Sequence, residues 1–342
     1  MKKKIPYILS GFAIAVIVFS LFSSKFLLKS SVYPKEESCV LIIPTGSSYS
    51  DVFDTLNANL NFENIKAFNW LVKKKNYHNL VKPGRYVIRN TMSTNELINM
   101  LRSGNQTPVR VTFNNIRTME QLAGRFAQYL EVDSVDFMMF FADTANYGKN
   151  GFKKENIISV FIPNTYEFFW NTDAKGIYNR MLAEYNRFWN ADRVAKAEQK
   201  GLSRHDVATL ASIVDDEVLR REEKPIIAGV YLNRLKRGMP LQACPTVKFA
   251  LNDFTITRVL FVHLQVESPY NTYKYRGLPP GPIGCPSIEG IDATLNAENH
   301  DYLFFAAKAD FSGYHNFSRT LAQHNRYAAE YQRELDRRRI FR

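Results

Sequence analysis

Residues 205–238 read HDVATLASIVDDEVLRREEKPIIAGVYLNRLKRG, and the apolar, acidic and helix-breaking positions in this stretch organise the reading of the whole chain. At about 100° per residue, Val207, Leu210, Ala211, Val214 and Val218 fall on one stripe of a helix, its expected buried face. On the same wheel Glu217 sits beside Leu210 and Ile213 at the border of the stripe, while Asp216 points to the opposite side. The consecutive acids Asp215, Asp216 and Glu217 are therefore expected to meet three different environments. A carboxyl against apolar neighbours has its charged form disfavoured, so Glu217 is the candidate general acid. The alternative is that Glu217 caps or salt-bridges the next segment, where Arg220, Arg221 and Lys224 follow. Pro225 opens a second helix at a tolerated first-turn position, and Gly238 closes it after Lys236 and Arg237.

Beyond this helix pair the chain turns to loops dense in Pro, Gly and Asn: residues 241–247 (LQACPTV), 268–273 (SPYNTY) and 277–283 (GLPPGPI). Such loops fix backbone shape and offer aromatic faces and amides, which a groove for an extended sugar polymer needs; a rigid loop scaffold is the other reading. The last segment, Arg333 to Arg339, reads as the exposed face of a final helix.

Upstream, Val40–Pro44 is short and apolar enough for a strand, and Val52, Phe53, Leu56 and Leu60 have helical spacing. A helix over 65–75, a turn at Lys82-Pro83-Gly84 entering a strand, and a helix from the capping box Ser93-x-x-Glu96 through Leu101, with Gly104 just past its end, complete a small module. It contains no catalytic cluster. From Pro108 onward the spacing predicts a strand at 109–113, helices over 118–129, 134–143 and 177–189, and an aromatic loop at 161–168.

At the N-terminus Met1-Lys2-Lys3-Lys4 precedes an uncharged, mostly apolar run from Ile5 to Ser24. That run is about the ~20 residues a helix needs to span a bilayer. A cleavable signal peptide is the rival, but its apolar region is usually shorter, and no small-residue cleavage site follows Phe22. The lysine cluster orients the N-terminus to the cytoplasm. The expectation is a cytoplasmic tail at 1–4, a transmembrane helix at 5–24 and a polar stalk at 25–38, with everything beyond lying outside the inner membrane. The net charge of +12 invites a nucleic-acid reading, which that location opposes; anionic headgroups or an acidic wall polymer are equally good counter-charges. Cys39, Cys244 and Cys285 form no CxxC, so neither zinc nor thioredoxin chemistry is suggested; Cys244 and Cys285 are either a bridge or two independent small residues. Ser-x-x-Lys, Gly-x-Ser-x-Gly and His-Glu-x-x-His are all absent, which removes transpeptidases and common hydrolases, and neither metal nor cofactor is expected.

The ordered motifs Ala211-Ser212-Ile213-Val214-x-x-Glu217, Asn233-Arg234-Leu235, Leu241-Gln242-x-x-Pro245-Thr246-Val247, Tyr270-Asn271-Thr272-Tyr273, Gly277–Ile283 and His315-x-Phe317 resemble the endolytic murein transglycosylase (MltG, or YceG-like) family. The resemblance implies an α+β fold: an N-terminal transmembrane helix, a LysM-like α/β subdomain at 39–107 and a mixed α+β catalytic domain with a long groove at 108–342. It implies Glu217 as the catalytic acid. It also implies a sugar-binding surface of Asn233, Gln242, Thr246, Tyr270, Asn271, Thr272, Tyr273, Pro280 and His315. The substrate implied is the peptidoglycan glycan strand, and the partners implied are the wall-synthesis machinery. Two positions depart from the family pattern. Asn164 stands where the family has Asp in Pro-Asp-Thr-Tyr, and Asp215 where many members have Glu or Gln. A non-catalytic peptidoglycan-binding scaffold, with Glu217 an ordinary salt-bridging residue, is the competing function.

Overall fold

The computed structural model describes residues 30–89, 92–218 and 220–339. They form two units, each with its own core: one holds the described residues to Arg110 with 129–132 and 167–172, the other the remainder. No helix among the described residues is long and apolar enough to cross a membrane, and the apolar run from Ile5 to Ser24 lies outside them.

The first unit begins inside the segment read as a stalk. Ser30–Pro34 is a strand, β1, pairing antiparallel with Leu60–Phe62 (β3) and Met92–Ser93 (β5). The polar composition hid this because backbone groups make the ladder whatever the side chains, and its apolar anchor, Val32, is fully buried. The 25–38 stalk is corrected accordingly. A second ribbon pairs Ser38–Ile43 (β2) with Gly84–Arg89 (β4), from Ser38↔Arg89 to Ile43↔Gly84. Alternation sends Cys39, Leu41 and Ile43 inward from β2, and Tyr86 and Ile88 from β4. Three helices, Tyr49–Asn59 (α1), Ile65–Lys74 (α2) and Thr94–Ser103 (α3), close this core. Capping boxes at Ser48/Asp51 and Ser93/Glu96 fix the starts of α1 and α3, and Gly104 ends α3 at φ +74.

Val109–Phe113 (β6) begins in the first unit and runs into the second, where it leads to Met119–Ala127 (α4) and Ser134–Ala142 (α5). Asn164–Phe168, the later half of the expected aromatic loop, is instead strand β7, paired with β6. Pro163 and Asn164 masked the alternation that buries Tyr166 and Phe168. Phe113, Phe126, Phe137, Phe141 and Phe161 form a connected aromatic core, with Phe126 and Phe137 stacked at 5.6 Å.

Ala174–Phe188 (α6), Ala191–Gln199 (α7), Arg204–Glu217 (α8), Lys224–Lys236 (α9), Cys244–Leu251 (α10) and Ile288–Leu295 (α11) follow. The ribbon Phe304–Ala307 (β8) with His315–Ser318 (β9) and the helix Leu321–Arg337 (α12) complete the chain. α8 is not buried on one stripe as expected. Every residue from Val207 to Val214 is buried, because α7, α9, α10 and α11 all pack on it. Its polar members are satisfied locally: Thr209 donates to His205 O, and Ser212 donates to Thr209 O while accepting the Ile283 N–H.

The approach of α11 onto α8 needs a glycine. A Cβ on Gly290 would lie 2.4 Å from Asp215 Oδ1, so the α11 backbone reaches α8 only because that atom is missing. Gly290→Ala is expected to cost about 1–3 kcal/mol by overpacking. Urea unfolding at neutral pH measures this, and a variant as stable as the parent contradicts the packing described.

Candidate active site

α8 starts at a reciprocal capping box between Ser203 and Asp206 and stops at Glu217, where Val218 turns extended at φ −128°, ψ 136°. Its last three residues are acids with separate fates, as the helical wheel predicts. Asp215 is largely buried and accepts the Ser287 N–H (2.7 Å), the Ser287 hydroxyl (2.8 Å) and Lys224 Nζ (2.8 Å). Asp216 faces outward and takes both arms of the Arg117 guanidinium, one at 3.0 Å. Glu217 makes no ion pair among the described residues, and its Oε2 is shut off from solvent with no hydrogen-bond partner among them.

The cations that the sequence offered to Glu217 are engaged elsewhere. Lys224 holds Asp215, Arg221 reaches Glu289, and Arg220 donates to Ser312 O. Burial, joined by the neighbouring charge of Asp216, pushes the Glu217 carboxyl up to about 7, against the opposing pull of Lys248 and Arg234. The carboxyl also sits at the last turn of α8, where the helix dipole disfavours a negative charge. At neutral pH this group can both give up and take back a proton.

Two cavities adjoin the end of α8. Glu217 lines one of about 210 Å³, with Lys308, Phe311, Tyr314, His315 and Tyr331. Asp216 and Val218 line a larger one of about 540 Å³ with Arg117, Arg221 and Lys224. His315 is thus brought into the Glu217 cavity. Lys308, Phe311, Tyr314 and Tyr331 were missed by the sequence reading. Their signal was the turn Asp310-Phe311-Ser312-Gly313 between two short aromatic strands, and it is accentuated by Phe311, a non-glycine residue held at φ +59.

The other expected sugar-facing residues divide in two. Asn271, Thr272 and Thr246 are buried and engaged within the protein, which corrects their reading as sugar contacts. Asn271 Nδ2 donates to Leu264 O and Val266 O while its Oδ1 takes the Tyr273 N–H. Thr246 and Thr272 share a hydroxyl contact at 2.8 Å, and Thr272 also accepts the Ala243 N–H. Asn233 Nδ2 similarly ties down His300 O and Tyr302 O. Thr246 and Val247 lie not in a loop but in α10, which has a proline in its first turn. Gln242 and Pro280 are exposed, and Tyr270 and Tyr273 half-buried. Gln242 is held at φ +52 with its Oε1 accepting from Arg234, while Tyr270 lies on Phe249 at 4.7 Å. Arg234, buried, also donates to Leu303 O and Leu241 O. Cys244 meets the Tyr273 hydroxyl at 3.2 Å, Cys285 faces Ile158 O, and all three cysteines are free. No cluster of three or more His, Cys, Asp or Glu side chains able to hold a metal occurs among the described residues.

Residues 41–330 match the sequence model of the YceG-like family. This chain belongs to the YceG-like family. It is 31% identical over 307 residues to the endolytic murein transglycosylase of Bacillus subtilis, covering 84% of this chain and 83% of that protein. It is 27% identical to that of Streptococcus pneumoniae, covering 84% of this chain and 57% of the pneumococcal protein. A YceG-like protein of Listeria monocytogenes, known from a crystal structure, superposes with a TM-score of 0.57 at 28% identity, over 85% of this chain and 98% of that one.

The raised Glu217 carboxyl has a stability consequence. The folded protein holds this proton more tightly than the unfolded chain, so ionisation costs stability as pH rises from about 4.5 to about 7. Glu217→Gln removes that cost. At about 1.4 kcal/mol per tenfold change in proton affinity, the variant gains on the order of 3 kcal/mol over the parent at pH 8–9 and nothing at pH 4. Thermal unfolding of both proteins across this range measures it; a difference independent of pH contradicts the burial of this carboxyl.

Proposed function

We propose that this member of the YceG-like family is a membrane-anchored lytic transglycosylase that cuts peptidoglycan glycan strands internally, with Glu217 as its acid and base. The observation that carries the reading is a carboxyl raised to about 7 on the wall of a cavity, with one oxygen shut off from solvent and no hydrogen-bond partner for it among the described residues. A scaffold protein has no use for such a group, whose desolvation only costs stability. The names of the Bacillus and Streptococcus relatives supply the reaction class.

Protonated Glu217 donates its proton to the oxygen joining N-acetylmuramic acid to N-acetylglucosamine, and the bond from that oxygen to the muramic C1 breaks. The carboxylate then takes the proton of the muramic 6-hydroxyl as its oxygen bonds to C1. The products are a free N-acetylglucosamine 4-hydroxyl and a 1,6-anhydro-muramic end, and Glu217 returns protonated. No water enters, so no second carboxylate at hydrolase spacing is required. Lys248 and Arg234 favour the carboxylate form, which lets the group ionise at neutral pH while burial keeps that ionisation reversible.

Glu217→Gln is expected to fold and to lose release of anhydro-muropeptides from purified wall by about 10²–10⁴-fold; wild-type release by the variant sinks the assignment. Because the starting form is protonated, kcat/KM on glycan strands should fall about tenfold per pH unit above about 7. A profile flat to pH 9 is incompatible with this acid.

The anchor is supported by Lys2–Lys4 ahead of the apolar run from Ile5 to Ser24. It holds the chain at the inner membrane with its catalytic unit on the wall side, beside the machinery that makes new strands. The module at 39–107 then acts as a LysM-like wall-binding element. Membrane fractions of expressing cells should retain the full chain through alkaline carbonate and release it in detergent; recovery in the carbonate supernatant rejects the anchor.

A further inference from the structure

A second buried acid serves the Glu217 cavity without lining it. Glu223 closes the short 3-10 turn Arg221–Glu223 and stands at the N-terminus of α9, where the helix dipole favours an anion. Its side chain is buried, at 6% exposure, and both its oxygens point at one residue. Oε1 accepts the His315 backbone N–H at 2.8 Å, and Oε2 meets His315 Nδ1 at 2.7 Å. The two residues are 92 positions apart in sequence, so this contact fixes the edge strand β9 and the imidazole together.

A carboxylate only accepts hydrogen bonds, so the proton between these residues sits on Nδ1. In the neutral imidazole the other ring nitrogen, Nε2, is then an acceptor. The ring is clamped edge-on to Phe305, with planes at 90° and centroids 5.4 Å apart. Nε2 makes no hydrogen bond among the described residues, and His315 lines the same cavity as Glu217. That cavity's walls are otherwise mostly aromatic or apolar: Ala307, Phe311, Tyr314 and Tyr331. A fixed acceptor sharing a cavity with a general acid in such surroundings is suited to one ligand group, a hydroxyl that must be held in a set direction.

We propose that His315 Nε2 accepts a hydrogen bond from a hydroxyl of the muramic residue bound at Glu217, and that Glu223 is the positioning residue that keeps His315 in the tautomer able to do so. This rests on the saccharide reading of the site given above. No bond is made or broken by His315. It orients the sugar while Glu217 moves the protons.

Glu223→Gln tests the tautomer at constant shape. The Gln carbonyl can keep the His315 backbone contact while its amide donates to Nδ1, which moves the ring proton to Nε2 and turns the acceptor into a donor. On purified glycan strands the full-length variant is expected to show KM raised about tenfold or more, the loss of one oriented hydrogen bond, with a smaller change in kcat. Its ¹⁵N imidazole spectrum should show the exchanged tautomer for His315. Should Glu223→Gln fail to fold, His315→Ala, checked for folding by circular dichroism, is expected to show the same rise in KM.

Wild-type KM and kcat in folded His315→Ala overturn the proposal, as do wild-type constants in a Glu223→Gln protein whose tautomer has exchanged. A tautomer unchanged in Glu223→Gln overturns the positioning role of Glu223. These failures are distinct from failure of the underlying reading, in which the wild-type protein releases no anhydro product or Glu217→Gln releases it normally.

Discussion

The carboxylate of Asp215 joins three helices, and the placement of Glu217 on its cavity wall follows from it. It accepts the Ser287 N–H and hydroxyl at the start of α11, so α11 is capped by a side chain from α8 as well as by its own Ser287. It also pairs with Lys224, the first residue of α9, in a contact whose side chains are only 11% and 19% exposed. A charge this desolvated is tolerated because its oxygens meet three donors. The knot is tight enough that α11 can present only a glycine, Gly290, to it. With Asp215 fixed to two neighbouring helices, the chain two residues further on has little freedom, and Glu217 is delivered to one place on the cavity wall.

The same knot explains how three adjacent acids acquire different chemistry. Lys224 is occupied by Asp215 and Arg117 by Asp216, so neither cation pairs with Glu217. What remains is burial, the negative end of α8 and the charge on Asp216, all of which favour the proton. Lys248 and Arg234 pull the other way and hold the rise to about 7. A much stronger shift would give an acid that could not become a base afterwards, and a weaker one a carboxylate with no proton to donate. The cations of this region therefore act by which acid they occupy rather than by how many stabilising pairs they form.

Much of this was legible in the chain. The capping box at Ser93 and the glycine stops at Gly104 and Gly238 are local chemistry, and local chemistry reads well from sequence. The three fates of Asp215, Asp216 and Glu217 followed from helical geometry alone. Three kinds of feature did not follow. β1 has almost no apolar signature, since backbone pairing supplies its ladder. α8 is enclosed on all sides, which a single-stripe wheel cannot show because enclosure depends on four other helices. Polar residues in loops, such as Asn271 and Thr272, look identical in sequence whether they face a ligand or a neighbouring carbonyl.

That last ambiguity bears on how the site is built. Asn233, Arg234, Thr246, Asn271 and Thr272 direct their polar atoms at backbone groups of the loops that follow or precede them. Arg234 alone collects carbonyls from Leu303, Pro240 and Leu241, and its charge still reaches Glu217. Loops without secondary structure carry backbone groups that must find partners, and a surface rigid enough to hold a polymer cannot leave them to exchanging water. Committing these amides and hydroxyls to the scaffold leaves aromatic rings, exposed Gln242 and the imidazole of His315 as the side chains not spent on tying loop backbone together. Sugar rings present both apolar faces and directional hydroxyls, chemistry that aromatic rings and a few fixed acceptors are able to meet.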